Sequence, residues 1–173
     1  MKEINTYLSV DLDYWGFYKV LNKRNMSEYL DRIFRLTCPV HIVNSHEDIL
    51  QYLNKVKAKH IINIDYHADI VNEDSGYDLC DGTWANYYKY KQDCIFEWRY
   101  RSKKDFVKGR CDNTIKTKFI DILTGYKAVL SDVGLYHIDW SLIGEVCIAT
   151  SPLYWGCGWD WVIDNYPVFT EYF

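Results

Sequence analysis

The chain lacks several features that would mark particular classes of protein. Its 6 cysteines include no Cys-x-x-Cys pair, which argues against a structural zinc knuckle. No apolar run approaches the roughly 20 residues that a membrane-spanning helix needs, and the first residues lack the apolar stretch of a signal peptide. We therefore expect a cytoplasmic protein with reduced thiols and no membrane partner.

Excess positive charge is also missing. The net charge is −4 and the isoelectric point is near 5.7, which argues against a nucleic-acid partner. One basic stretch, residues 98–110, alternates with aromatic residues, but Asp105 and neighbouring acids dilute its charge. Such a stretch is more typical of a solvated edge or loop than of a phosphate-binding track.

Aromatic residues, by contrast, are abundant. The 173 residues, 49% of them hydrophobic, suit a single domain over residues 1–173 with a substantial core. They include 16 tyrosines and 7 tryptophans. These side chains could fill a core rich in large residues or line an exposed groove for a peptide or another extended ligand. Composition alone leaves both alternatives open.

Strand and helix patterns alternate along the first 70 residues. Strands are predicted at residues 6–12, 40–43 and 61–64. Two helices lie between them, with Ser27 and Ser45 as candidate N-caps. The second helix carries an apolar stripe of Ile49, Leu50, Leu53 and Val56. This alternation predicts an α/β class, a three-layer α/β/α fold with a mainly parallel sheet.

The second half of the chain has a less regular pattern. It predicts a short aromatic helix, three further strands, a polar excursion that could roof a site, and a closing helix that Pro167 would interrupt. The aromatic helix is predicted at residues 83–90 and the strands at residues 94–100, 126–130 and 145–150. The polar excursion is residues 101–118, and the closing helix is residues 160–173.

An apolar run, residues 60–64, ends abruptly in Asp65-Tyr66-His67-Ala68-Asp69. If the chain stays extended, alternation places Asp65, His67 and Asp69 on one side. Three such groups at one strand tip suit a divalent metal, whereas without a cation they would repel or be poorly solvated. A solvated acidic loop is the alternative for this segment alone.

Two other strand ends carry similar side chains. In parallel α/β sheets, ligands bind beyond the carboxyl ends of the strands. The first predicted strand ends in Asp11 and Asp13, which share a side, and His46 follows the second strand. Each has an ordinary explanation alone, as a strand end, a turn cap or a solvent-facing histidine. Together they complete a set of predicted metal ligands: Asp11, Asp13, His46, Asp65, His67 and Asp69.

This set contains enough ligands for two divalent ions that share bridging carboxylates. Oxygen-rich ligation with one imidazole per ion suits Mn²⁺, with Fe²⁺ or Zn²⁺ as alternatives. Two ions about 3.5–4 Å apart can lower the pKa of a shared water to near neutrality. The reaction class that this arrangement indicates is hydrolysis.

The same segments resemble known enzyme motifs. Asp65-Tyr-His-Ala-Asp69 resembles the Asp-x-His-x-Asp motif of the arginase-like ureohydrolases, and Ser9-Val-Asp-Leu-Asp13 resembles their Ser-x-Asp-x-Asp motif. A closer resemblance is to the small arginase-like proteins that include the peptide arginases. It is carried by residues 11–15, 45–50 and 81–84, and more weakly by residues 150–155.

The resemblance implies an arginase-like fold with two Mn²⁺ ions. One ion would be held by His46, Asp65, Asp69 and Asp11, and the other by His67, Asp65, Asp11 and Asp13. The motif order is permuted, because the Ser-x-Asp-x-Asp element comes first here and last in classical arginases. The chain is also shorter than those enzymes, so arginine within a peptide is the expected substrate rather than free arginine.

The implied reaction converts peptidyl arginine to ornithine and urea. Glu47 and Asp81 are candidates to hold the positive guanidinium, and His137 is the candidate proton shuttle. Trp15 and Trp84 could stack against the planar guanidinium, with packing beneath the site as the alternative for both. Further aromatic candidates at the site are Tyr154 and Trp155.

Two other functions stay open. The protein could be another dinuclear-metal hydrolase of a C–N bond on the same scaffold. It could also be a non-catalytic protein that holds a metal or a basic peptide at its acidic rim. The sequence does not indicate an oligomeric state.

Overall fold

The structure is a computed structural model that describes residues 1–16, 23–65, 67, 69, 83–99, 126–131, 137–152 and 158–172. The predicted polar excursion and three site candidates lie outside the described residues. Those candidates are Asp81, Tyr154 and Trp155.

A six-stranded sheet with every strand parallel forms the centre of the fold. Across the sheet the strand order is β2-β6-β1-β3-β4-β5. The predicted α/β class with a parallel sheet is confirmed. The strands are β1 (Lys2–Asp11), β2 (Val40–Val43), β3 (Val56–Ile64), β4 (Ile95–Arg99), β5 (Lys127–Ser131) and β6 (Ile143–Ala149).

The last strand in the chain lies inside the sheet, between β1 and β2. Val10 of β1 is level with Ile64 of β3, and Asp11 is level with Ala149 of β6. The carboxyl ends of these three strands therefore meet at one edge of the sheet. Residues that follow them along the chain are brought to the same place.

Helical segments connect the strands. The α-helices are α1 (Asp13–Gly16), α2 (Lys23–Ile33), α3 (Leu50–Leu53) and α4 (Trp159–Asn165). Short 3₁₀ helices occupy His46–Ile49, Trp84–Tyr87, Trp140–Leu142 and Pro167–Tyr172. Within the described ranges, no helix has the length and apolar character needed to cross a membrane.

Several predicted helix boundaries were wrong. Helix α2 begins at Lys23, so Ser27 lies inside it and is not its N-cap. Ser45 holds the N-cap position of a 3₁₀ helix, but its side chain makes no capping hydrogen bond. Val56 begins β3 instead of extending the stripe of the preceding helix. The interruption at Pro167 is confirmed, because α4 ends at Asn165 and a 3₁₀ helix begins at the proline.

Both faces of the sheet are buried. Residues of β1, β2, β3 and β6 are divided between two separate apolar clusters, as expected for a parallel sheet covered on both sides. On one face Tyr7 and Ile61 pack in the same cluster as Trp84. On the other face Leu8 and Ile62 belong to the cluster formed with helices α2 and α4.

Two histidines of the sheet, His41 and His60, each contact a glutamate of a neighbouring strand. His60 Nε2 lies 3.0 Å from Oε2 of Glu97, whose Oε1 accepts a hydrogen bond from Arg99 Nε at 2.8 Å. His41 Nε2 lies 3.1 Å from Oε1 of Glu145. Both contacts are made between side chains of the sheet.

Candidate metal centre

Four carboxylates and two imidazoles meet at the carboxyl edge of the sheet, and we call this group the cluster. Asp11 ends β1, Asp65 follows β3 directly, and His46 opens the 3₁₀ helix after β2. The structure thus brings together all six predicted metal ligands. Five of them are at most 5% exposed: Asp11, Asp13, His46, Asp65 and Asp69.

The first half of the cluster surrounds Nδ1 of His46. This atom lies 2.7 Å from Oδ2 of Asp69, 3.0 Å from Oδ2 of Asp65 and 3.4 Å from Oδ2 of Asp11. An imidazole nitrogen can donate to one oxygen at a time. Nδ1 can serve one of these three carboxylates as a hydrogen-bond donor, so the others need a further partner, a role that a shared cation would fill.

The second half of the cluster surrounds His67. Its Nδ1 lies 3.0 Å from Oδ2 of Asp13 and 3.8 Å from Oδ1 of Asp65. The side chain of His67 is 42% exposed, whereas that of His46 is 2% exposed. Asp65 faces both imidazoles, one with each carboxylate oxygen, so the two halves share a ligand.

Hydrogen bonding does not satisfy the polar atoms at the centre of the cluster. Both carboxylate oxygens of Asp13, Nδ1 of His46 and Oδ2 of Asp65 are buried without a correctly oriented hydrogen bond. Buried polar atoms of this kind destabilise a fold unless another partner satisfies them. A cation at the centre of each half would serve these atoms.

The donor set also fits two divalent cations in charge. Four ionised carboxylates carry a charge of −4, and two neutral imidazoles add none, so two divalent ions bring the cluster to neutrality. In each half, three ligand atoms lie within 4.8 Å of one another. Oxygen and imidazole donors suit manganese, iron and zinc.

The pKa values of the cluster residues are shifted because charged groups are buried close to one another. Burial and the charge of Asp65 outweigh His67 and raise the pKa of Asp13 to about 6. Burial and the charge of Asp69 raise the pKa of Asp65 to about 6 as well. Burial would lower the pKa of His67, but the adjacent carboxylate of Asp13, 3.0 Å from its Nδ1, raises it to about 10. Near neutral pH the cluster therefore binds protons that a metal ion would displace.

Neighbouring groups hold the predicted ligands in place. Ser9 Oγ lies 2.7 Å from Nε2 of His46, the ring nitrogen opposite the carboxylates. Trp84 donates its indole hydrogen to Oδ2 of Asp69. Backbone N–H groups donate to Oδ1 of Asp11 at 3.0 Å and to Oδ1 of Asp65 at 2.7 Å. Such contacts orient metal ligands and raise metal affinity.

Ser151 is a site residue that the sequence did not reveal. It follows β6 by two residues, and its Oγ donates to Oδ2 of Asp11 at 2.6 Å. Its backbone is left-handed, with φ of 46°, as is that of Asp69, with φ of 53°. Left-handed backbone at a residue other than glycine is strained, and such strain is concentrated at functional sites. The signal that could have found Ser151 was its place at a strand end.

Replacing Ser151 is expected to weaken metal binding without unfolding the protein. Ser151→Ala and Ser151→Gly both remove the hydroxyl from Asp11, so each should lower manganese affinity by about tenfold, as for other groups that orient ligands. Glycine relieves the left-handed strain, so Ser151→Gly should be about 1 kcal/mol more stable than Ser151→Ala. Calorimetric titration with Mn²⁺ and thermal unfolding measure the two quantities.

The adjacent Thr150 provides a matched control. Its Oγ1 donates to the backbone oxygen of Val43 at 3.3 Å and contacts no ligand in the described structure. Thr150→Val should therefore lower the unfolding temperature and leave manganese affinity unchanged. Equal affinities in Ser151→Ala and the parent protein would contradict a role for the Ser151 hydroxyl at the centre.

Two predicted catalytic residues, Glu47 and His137, are not among the residues of the cluster. Glu47 follows His46 in the 3₁₀ helix and is half-buried. His137 is exposed, has φ of 62°, and precedes the amino end of β6, whereas the cluster lies at the carboxyl ends of the strands. Their catalytic roles stay predictions, as does that of Asp81.

Trp15 and Trp84 do not form exposed stacking walls. Their exposed fractions are 1% and 0%, because each ring lies within one of the two apolar clusters. Trp15 Nε1 donates to Oδ1 of Asn25 at 2.7 Å, and Trp84 packs beside His46 with ring centroids 5.0 Å apart. The packing alternative describes both rings, since a guanidinium would have to displace core contacts to reach either face.

The chain was compared with protein families, with curated proteins and with solved structures. No family model, curated protein or solved structure matches it. A functional assignment therefore depends on the chemistry of the cluster and on the motif resemblance.

Proposed function

We propose that the protein is a dinuclear metal-dependent hydrolase of C–N bonds, with peptidyl arginine as its substrate. The observation that carries the proposal is the position of Asp65 between two imidazoles. Its Oδ2 lies 3.0 Å from Nδ1 of His46 and its Oδ1 lies 3.8 Å from Nδ1 of His67. A carboxylate that faces two imidazoles in this way is suited to bridge two ions.

The cluster residues would divide between the two ions. One set is His46, Asp11, Asp65 and Asp69, and the other is His67, Asp13 and Asp65. The arginase-like resemblance adds Asp11 to the second set as a further bridge. Mn²⁺ suits this oxygen-rich donor set, with Fe²⁺ or Zn²⁺ as alternatives. When bound, such a pair supplies Lewis acidity and activates water for hydrolysis.

The protein residues set the direction from which substrate arrives. His46 is enclosed beneath the carboxylates, whereas nearly half of the His67 side chain is exposed. Substrate therefore approaches from the His67 side. Glu47, beside His46, is the described acid that we propose to attract a guanidinium from outside the ligand set. Asp81 is proposed for the same role.

The proposed reaction is balanced by one water molecule. The bond between the guanidinium carbon and the side-chain nitrogen of arginine breaks, and the C–O bond of urea forms. The leaving side-chain nitrogen takes up both protons of the water and becomes the ammonium group of ornithine. We propose that solvent on the exposed His67 side relays these protons, because His137 precedes the amino end of β6, away from the cluster. A peptide substrate follows from the resemblance to the small arginase-like proteins and from the short chain.

Metal analysis and peptide hydrolysis test the proposal in sequence. We expect about two manganese, iron or zinc ions per purified chain, as the donor count indicates. Incubation with Mn²⁺ and arginine-containing peptides should then release urea and convert arginine to ornithine, which mass spectrometry detects. Free arginine should be a poor substrate.

Each result distinguishes the candidate functions. A chain that binds no stoichiometric metal would exclude both hydrolase candidates. If metal binds but no peptide yields urea, peptidyl arginine is the wrong substrate, and assays with other amide and amidine substrates decide whether the protein is a different C–N hydrolase. Metal binding with no activity on any of them favours a non-catalytic metal or basic-peptide-binding protein.

A further inference from the structure

Asn63 of β3 is a buried amide without a hydrogen-bond partner. Its side chain is 0% exposed, and neither Oδ1 nor Nδ2 makes a hydrogen bond in the described structure. Leaving an amide unpaired inside a protein is unfavourable, and an apolar residue of similar size would avoid the problem. The asparagine therefore requires an explanation beyond packing.

Asn63 lies directly beneath the cluster. It precedes Asp65 by two residues, so alternation places both side chains on the same face of the sheet. Its lateral neighbours in the sheet are Ser9 of β1 and Trp98 of β4. Trp98 Nε1 donates to the backbone oxygen of Asp65 at 3.1 Å, and Ser9 contacts His46. Asn63 is thus flanked by two residues that already support predicted ligands.

The Ser9 hydroxyl has hydrogen-bonding capacity that His46 does not use. If Nδ1 of His46 is a metal ligand, Nε2 carries the ring hydrogen and donates it to Ser9 Oγ at 2.7 Å. The hydroxyl hydrogen of Ser9 then needs an acceptor of its own. Among the described residues, His46 is the one hydrogen-bond partner of this hydroxyl. The side chains of Ser9 and Asn63 start from strands about 4.8 Å apart, a separation that one water can bridge.

We propose that Asn63 holds a buried water beneath the metal centre, and that this water links the Asn63 amide to the Ser9 hydroxyl. The chain Asn63–water–Ser9–His46 fixes the orientation of the imidazole and leaves Nδ1 free to bind metal. Asn63 is then a positioning residue, which raises the metal affinity of the centre and lowers the stability of the fold. The proposal rests on the metal centre described above, but it does not depend on the substrate.

Asn63→Leu separates this role from a purely structural one. Leucine has the same branched shape and the same number of side-chain heavy atoms but cannot hold a water, so the variant should bind Mn²⁺ about tenfold more weakly in calorimetric titration. The metal-free variant should unfold at the same temperature as the parent protein or higher, because leucine buries apolar surface and requires no ordered water. Asn63→Ser keeps a hydroxyl for the water and should recover most of the lost affinity.

Tyr88→Phe is the matched control. The Tyr88 hydroxyl accepts from the Ala58 N–H at 2.9 Å and donates to the Val56 oxygen at 3.1 Å, at the far end of the same strand. Its loss should lower the unfolding temperature and leave manganese affinity unchanged. Opposite effects in the two variants are the result expected from the proposal.

Two outcomes would overturn the proposal while the metal centre stands. One is an Asn63→Leu variant with the manganese affinity of the parent protein. The other is an Asn63→Leu variant that loses stability and affinity together, as a structural residue would. A crystal structure with Mn²⁺ gives a direct test, since it should show a water within hydrogen-bond distance of both Asn63 and Ser9. Failure of the parent protein to bind metal would instead reject the proposed function itself.

Discussion

Asp65→Asn is expected to abolish manganese-dependent activity while leaving the protein folded. Asp65 is the carboxylate that both halves of the cluster share, and it is 0% exposed. The amide keeps the shape of the side chain but loses the negative charge and one acceptor oxygen. Metal assistance contributes several kcal/mol to hydrolysis, so activity on a responsive substrate should fall by about a thousandfold or more.

The same substitution should not destabilise the metal-free protein. Burial and the charge of Asp69 raise the pKa of Asp65 to about 6, so the ionised side chain is unfavourable in the folded state at neutral pH. A neutral amide removes that cost. At pH 7.5, metal-free Asp65→Asn should therefore unfold at a temperature equal to or above that of the metal-free parent. Thermal unfolding with and without chelator measures both effects.

Asp48→Asn is the control for a general loss of negative charge. Asp48 is an exposed acid in the same 3₁₀ helix as His46 and lies outside the proposed ligand sets. Its variant should keep the metal content and activity of the parent protein. Full activity in Asp65→Asn, or equal losses in both variants, would contradict a bridging role for Asp65.

The sequence contained enough information to find the cluster. Apolar strands that end in acids and histidines are visible in one dimension, and in a parallel sheet their carboxyl ends share one edge. This rule alone predicts that Asp11, His46 and Asp65 lie close together. The rule works because it depends on strand direction and not on the order of strands across the sheet.

Local sequence patterns do not determine the order of the strands across the sheet. Strand β6 lies between β1 and β2 in the sheet, although it is the last strand in the chain. Its position delivers Ser151 to Asp11, and no periodicity in the sequence specifies that pairing. Non-local strand pairing is decided by the packing of the whole sheet, which is why the hydroxyl was missed.

The aromatic side chains show a second limit. Trp15 and Trp84 lie in the segments that carry the arginase-like resemblance, residues 11–15 and 81–84, which made them candidates for substrate stacking. Both rings are buried, and Trp84 contacts the site from the core side, through its indole N–H on Asp69 and its ring beside His46. A tryptophan ring can contact a site from the core side or from the solvent side. Its position in the sequence does not distinguish the two arrangements.

Metal binding is expected to weaken steeply as the pH falls below 7. In the metal-free protein the pKa of His67 is raised to about 10, so this ring carries a proton at neutral pH that a metal ion must displace. Displacing one proton lowers the affinity by about tenfold for each unit of pH. The pKa values of Asp13 and Asp65 are about 6, so these groups add further protons below that pH.

Titration calorimetry in buffers with different ionisation enthalpies counts the protons released. The pKa of His46 is also raised, because Asp69 and Asp65 outweigh the effect of burial. We therefore expect protons to be released on metal binding at pH 7.5, with His67 among their sources, and more to be released at pH 5.5, where Asp13 and Asp65 also carry protons. An affinity that stays constant over this range, or proton uptake on binding, would contradict the assignment of these groups as ligands.

The stability of the protein should follow the same linkage with a definite sign. The pKa values of Asp13 and Asp65 rise from 3.8 to about 6 on folding, so the folded metal-free protein binds more protons than the unfolded chain between those values. Their contribution to metal-free stability is therefore lost as the pH rises from about 4 to about 6. Bound metal requires the ionised carboxylates and reverses this trend. The increase in unfolding temperature that Mn²⁺ produces should consequently be larger at pH 7.5 than at pH 5.5. At the higher pH fewer protons compete with the cation for the carboxylates.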